Sequence, residues 1–90
     1  MISAQVIKGI EELLGERGVQ MRSGERLGDA VARELGISPA QAERLLEALH
    51  DGATVDEAMQ RAKIAAIPSH SEFLNQLARK IGAALGRVAG

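Results

Sequence analysis

Three four-residue stretches mark helix starts in this chain: SPAQ at 38–41, TVDE at 54–57 and SHSE at 69–72. Each places a serine or threonine three residues before a glutamine or glutamate, which is the pattern of a capping box. In that motif the first side chain accepts a hydrogen bond from a backbone N–H of the first helical turn, and the last side chain reaches back to the first residue. Apolar residues follow each stretch at every third or fourth position. The chain is therefore predicted to be built from short helices.

Apolar periodicity predicts five helices in all. Ser23 is the predicted N-cap of the second helix, and Gly36 is expected in the left-handed conformation directly after it. A weak extended signal in VQMR, residues 19–22, is the only hint of another structure, because β-branched residues alternate with polar ones nowhere over a longer stretch. The five helices are predicted to span about 3–14, 25–35, 38–51, 54–67 and 69–88. The expected fold class is an all-α bundle of about five short helices.

The apolar residues are mostly alanine and aliphatic, and Phe73 is the only aromatic residue among 90. A chain of this length buries only about 60 to 65% of the surface that its unfolded form exposes. Buried alanine also contributes much less than the roughly 1.5 to 3 kcal/mol of a buried leucine. We therefore expect stability to be supplemented by self-association, most simply as a homodimer.

Several function classes lack a sequence signature. The chain has no cysteine, and its two histidines have no partner at metal-ligand spacing, so we predict no metal site. No nucleophile with a base and no phosphate-binding loop can be recognised, so we predict neither an enzyme nor a cofactor. Charged residues interrupt the first apolar segment, and no apolar run approaches the ~18 residues of a membrane span. The sequence predicts a soluble cytoplasmic protein.

The net charge of −1 conceals an asymmetry along the chain. Residues 1–60 hold six basic and eleven acidic side chains, a net charge of −5. Residues 61–90 hold five basic and one acidic, a net charge of +4. We therefore expect a compact domain over residues 1–68 and a basic amphipathic helix over residues 69–90 that packs on it or dimerises.

The junction between the second and third predicted helices has a recognisable pattern of small and aliphatic residues. Ala32 is followed four residues later by Gly36, then by the turn residues Ile37 and Ser38. Ala42 and Leu45 come at fixed steps in the next helix. Residues 27–49 thus resemble a helix-turn-helix motif, in which the small residue lets the second helix cross closely and the glycine permits the turn.

This resemblance implies DNA binding through the third predicted helix as the recognition helix. Gln41 and Arg44 would reach base edges from its exposed start. Phosphates would be contacted by a second set of residues, namely Ser38, Arg22, Arg26 and Arg33.

The charge of that helix complicates the DNA-binding prediction. Glu43, Glu47 and Asp51 accompany its only arginine, Arg44. Because neutralisation of phosphates supplies much of the affinity for DNA, the acidic residues must be offset by the neighbouring arginines or by the basic tail.

A second resemblance involves overlapping residues. The stretch AERLLEALHDGATVDEAMQRA, residues 42–62, is similar to the last two helices of the ubiquitin-associated three-helix bundle. This family binds protein surfaces through apolar loops and helix ends, so the resemblance implies a protein partner instead of DNA.

The fifth predicted helix has the longest apolar stripe in the chain. Three roles are open for it: packing on the bundle, dimerisation through glycines at steps of four, and docking to a partner protein. The last two define an interaction helix consisting of Phe73, Leu77, Ile81, Leu85, Arg79, Lys80 and Arg87. The leading prediction is a small dimeric DNA-binding protein that acts as a transcriptional regulator or accessory factor. The alternative is a non-enzymatic adaptor that docks through this helix.

Overall fold

A computed structural model of the chain describes residues 3–86. Over these residues the fold is all-α with no strand, as predicted, and VQMR forms part of an irregular connector. A 3-10 turn at Pro68–His70 precedes the last helix. The five α-helices are α1 (Ala4–Glu16), α2 (Leu27–Leu35), α3 (Pro39–His50), α4 (Val55–Ala62) and α5 (Ser71–Ala84).

The first two helices differ from their predicted bounds at one end each. Gly15 does not end α1, which continues to Glu16 before the chain turns at Gly18, where φ is +75°. The prediction that α2 begins at Glu25 with Ser23 as its cap is wrong. The backbone N–H of Glu25 closes a turn on the carbonyl of Arg22, with Gly24 at φ +77°, so helical conformation starts only after Arg26.

The turn between α2 and α3 follows the prediction closely. Gly36 has φ +68° and ψ +34°, the left-handed conformation that glycine adopts without strain. Ser38 Oγ accepts from the backbone N–H of Gln41 at 3.1 Å, and Gln41 Oε1 accepts from the backbone N–H of Ser38 at 3.0 Å. The reciprocal pair fixes the start of α3. Thr54 and Glu57 cap α4 in the same way. The predicted extension of this helix to residue 67 is wrong, because α4 ends at Ala62.

The predicted capping box at Ser69 is wrong, because the helical conformation begins earlier. The backbone N–H of His70 donates to the carbonyl of Ile67 at 2.9 Å, which places Ser69 inside the 3-10 turn instead of in the extended conformation of an N-cap. The predicted end near Val88 is also wrong. Gly86 has φ +74°, and α5 therefore ends at Ala84.

The helices pack in two groups around one core. α3 packs against both α2 and α4, and α1 packs mainly against α5. The apolar stripe of α5 is directed inward, since Phe73, Leu77 and Ile81 are at most 1% exposed. Packing is therefore the role that α5 has within this chain. The core is rich in small side chains, which include Ala30, Ala32, Ala42, Ala48, Ala58 and Ala62.

No helix within residues 3–86 combines the length and apolar character needed to cross a bilayer.

Candidate nucleic-acid interface

The exposed ridge of α3 carries opposite charges at its two ends. At 3.6 residues per turn, Ala40, Arg44, Glu47 and Asp51 follow one line along the helix, and all four are exposed. The first turn has no acidic residue. Arg44 forms no ion pair with any residue in the range 3–86. The N-terminal end of the ridge is therefore basic, and its C-terminal half is acidic.

A hydrogen bond brings a second cation to this basic end. Gln41 Nε2 donates to the backbone carbonyl of Lys63 at 3.1 Å, so the residue after α4 lies against the start of α3. The Lys63 side chain is exposed and, like that of Arg44, has no carboxylate within ion-pair distance in the described chain. Both polar atoms of the Gln41 side-chain amide thus form hydrogen bonds: Oε1 accepts from Ser38, and Nε2 donates to Lys63.

Lys63 has an unusual backbone conformation for its residue type. Its φ of +58° and ψ of +45° lie in the left-handed region, where it forms the C-cap of α4. Lys63 is the one non-glycine residue with positive φ in the described range. For a residue with a Cβ atom this conformation costs about 1 to 2 kcal/mol, and glycine is the usual occupant.

Arg33, one of the predicted phosphate contacts, is held by groups within the chain. Its Nη2 donates to Glu25 Oε1 at 2.7 Å and to the carbonyl of Gln20 at 3.0 Å. The backbone N–H of Arg22, together with the Arg33 guanidinium, holds the pKa of Glu25 below its usual value of 4.5. Arg33 thus fastens the connector before α2 to the end of that helix.

A pH titration tests this contact. Because the pKa of Glu25 is lower in the folded state, its contribution to stability is present above pH 4.5 and is lost as the pH falls through the folded value. We expect Glu25→Gln to reduce stability near neutral pH and to flatten the loss of stability below pH 4.5, as measured by urea unfolding across the acidic range. The variant should still lose some stability at acidic pH, because the Thr54 backbone N–H and hydroxyl lower the pKa of Glu57 as well. Glu11→Gln on the exposed face of α1 is the matched control, and an equal effect of both variants would contradict the assignment.

Arg26 and Arg22 each contact a glutamate within the chain. Arg26 Nη2 is 3.0 Å from Glu43 Oε1, and both side chains are substantially exposed, at 78% and 45%. On α3, Glu43 is on the flank toward α2, whereas Gln41 is on the flank toward α4. The Arg22 backbone N–H donates to Glu25 at 3.0 Å. Arg26 therefore lies on the flank of α3 opposite to Gln41.

No protein-family model, curated protein or solved structure matches this chain.

The cations predicted on the interaction helix have different surroundings. Lys80 Nζ is 3.9 Å from Glu12 Oε2 and 3.7 Å from Glu16 Oε1, which ties α5 to α1. Arg79 is exposed, and Leu85 is partly buried against the core. Arg87 and Val88 lie outside the described residues. With its four large apolar side chains Phe73, Leu74, Leu77 and Ile81 in the core, α5 presents to solvent mainly polar groups.

The described residues have no cluster of metal ligands, and their surface contains open grooves. Among residues 3–86, no three histidine or carboxylate side chains converge as a metal site requires. An apolar groove of about 400 Å³ lies between α4, the 3-10 turn and α5. Its rim includes Ile67, which is 43% exposed. A second groove, of about 350 Å³, lies between α1, α2 and α3.

Sequence reasoning singled out Arg44 but not Lys63. A lysine after a helix of eight residues is unremarkable by composition, and its proximity to α3 depends on a hydrogen bond across 22 positions. Nothing local in the sequence indicated this end of α4, because a left-handed C-cap is usually a glycine and α4 is followed by a lysine.

Proposed function

We propose that this protein binds DNA through the N-terminal end of α3, as a non-enzymatic transcriptional regulator or accessory factor. The observation that carries the proposal is a pair of exposed, unpaired cations: Arg44 in the second turn of α3, and Lys63, whose backbone lies against the start of this helix. The dipole of a helix N-terminus favours anions within its first turn, and the two side chains add full charges near it. A phosphate group is the part of a nucleic acid that this arrangement suits best.

The roles of the predicted DNA-binding residues are revised by their contacts. Arg44 is the proposed contact to a base edge or phosphate, and Lys63 the proposed phosphate contact. Gln41 acts as a positioning residue, because reaching a base would require it to give up its bonds to Ser38 and Lys63. Arg26 is not among the proposed contacts, because its guanidinium is paired with Glu43 on the flank of α3 toward α2.

The backbone of Lys63 supports a function for its side chain. A residue kept in a strained conformation that glycine would relieve is more often found at a functional position. The adaptor alternative has no comparable support, because the apolar side chains through which α5 would dock lie in the core.

Lys63→Gly separates binding from folding. We expect it to leave stability unchanged or to raise it by up to about 1 kcal/mol, because glycine relieves the left-handed backbone. The same variant should weaken binding to a labelled DNA duplex and reduce the slope of log affinity against log salt by about 0.9, the value for one lost phosphate contact. Fluorescence anisotropy at several salt concentrations, together with urea unfolding, gives both readouts.

Arg44→Gln and Arg79→Gln form a matched pair for the same assay. Both remove one exposed arginine, but only Arg44 lies near the start of α3, so only Arg44→Gln should weaken binding. Absence of binding by the wild type at ~50 mM salt, or binding insensitive to salt, would overturn the proposal. Equal losses in both arginine variants would show attraction by net charge without a defined site.

A further inference from the structure

The groove between α1, α2 and α3 has an apolar floor that the chain does not cover. Ile7, Leu27 and Leu46 line it. Ile7 is 37% exposed and, with Ile67, is one of the two large aliphatic side chains at the surface of the described residues. Ile7 lies on α1, which packs mainly on α5 and leaves this edge open.

Charges of both signs border this apolar floor. Arg26 stands on one side, and Glu43 and Glu47, one turn apart on α3, stand on the other. Arg26 is 78% exposed even while paired with Glu43. Glu47 is exposed and has no ion-pair partner within residues 3–86.

Gly28 helps to keep the groove open. A Cβ atom at this position would lie 3.2 Å from Glu43 Cγ, closer than ordinary van der Waals contact. Glycine therefore lets the Glu43 side chain lie against α2 within reach of Arg26.

We propose that this groove is a two-fold interface between two copies of this chain. A two-fold axis brings the same patch of both protomers together, so the patch must be complementary to itself. Here Ile7 of one protomer covers the apolar floor of its partner, and Arg26 of each protomer meets the unpaired Glu47 of the other. The two ion pairs at the rim are equivalent by symmetry. A nucleic acid does not suit this patch, because two carboxylates would face its phosphates.

The interface leaves the proposed DNA contacts accessible. Arg44 is exposed and does not line the groove, and Lys63 lies on the flank of α3 toward α4, away from Glu43. The inference concerns self-association alone and is tested without DNA, so its failure and that of the DNA proposal are distinguishable. Because the apolar floor is small, we expect a dimer that dissociates on dilution.

Sedimentation velocity over a wide range of protein concentrations measures the dimer. We expect the full chain to form a reversible dimer, and Ile7→Glu to raise the dimer Kd at least ~10-fold, because it places a carboxylate in the apolar centre. Ile67→Glu is the matched control in the other groove and should leave Kd unchanged. Far-UV circular dichroism confirms that each variant retains its helices.

A charge exchange identifies the contact between protomers. Arg26→Glu places like charges at both rim contacts, and Glu47→Arg does the same with the opposite sign, so each variant alone should dimerise at least ~10-fold more weakly. An equimolar mixture restores both ion pairs and should form a heterodimer with wild-type Kd. A variant that merely failed to fold would not be rescued by mixing.

Three results would overturn the inference. The first is a wild-type monomer at every concentration. The second is a mixture that associates no better than the separate variants. The third is a dimer weakened by Ile67→Glu as much as by Ile7→Glu, which would place the contact at the groove between α4 and α5.

Discussion

Phe73→Ala should lower the free energy of unfolding by about 3 to 5 kcal/mol, the usual cost of truncating a buried phenylalanine. Phe73 is 1% exposed and is the only aromatic side chain in the chain. Its neighbours along the inner face of α5, Leu77 and Ile81, are fully buried, so the surrounding core has little freedom to close the cavity. For a domain of this size the loss is a large part of the total stability.

A cation above the ring adds a smaller contribution. The Arg17 guanidinium lies 4.7 Å from the centroid of Phe73, and its Nε donates to Glu34 Oε1 at 3.4 Å. This contact joins the end of α1 to α2 across the edge of the core. Arg17→Gln should therefore cost only about 0.5 to 1 kcal/mol, because the ring remains packed.

Urea unfolding followed by far-UV circular dichroism measures both variants, since the chain has neither tryptophan nor tyrosine. Leu85→Ala is the control on the same helix, at a partly buried position after its last turn. A Phe73→Ala loss no larger than that of Leu85→Ala would contradict the packing of α5 in the core.

Helix starts were predictable where the capping side chain is local. Ser38 and Thr54 cap their helices as the sequence indicates, because each box closes within four residues. The same pattern predicted Ser69 as a cap, and this prediction was wrong. Pro68 follows an extended Ile67 and starts a 3-10 turn, so the first helical residue was already Pro68. When a capping-box pattern directly follows a proline, a 3-10 turn that starts at the proline is an alternative prediction.

The candidate site was only partly predictable, because its contacts join distant positions. The Arg33 side chain reaches Glu25 across eight residues, and Arg26 reaches Glu43 across the α2–α3 junction. Charge counting identified the arginines but not the carboxylates that hold them. Lys63 lies near the start of α3 because its backbone carbonyl accepts a hydrogen bond from Gln41. The sequence pattern had indicated only a local cap and a base contact for Gln41.

Ala42→Leu should destabilise the protein by about 1 to 3 kcal/mol, the usual cost of overpacking a filled core. Ala42 is completely buried on the inner face of α3, the helix that packs against both α2 and α4. A leucine there must push α3 away from at least one neighbour, since interiors at crystal-like density have no room for three more carbon atoms.

Ala40→Leu is the matched control, because it makes the same change two residues earlier on the exposed ridge of α3. Alanine and leucine have similar helix propensities, so the intrinsic cost is small at both positions. In thermal unfolding, the stability of Ala40→Leu should lie within about 0.5 kcal/mol of that of the wild type. The melting temperature of Ala42→Leu should be lower than that of the wild type by about 4 to 8 °C for each kcal/mol of stability lost. Equal melting temperatures for the two variants would mean that the inner face of α3 is not closely packed. The position of Gln41 against Lys63 would then lack the rigid support on which the proposed DNA contact depends.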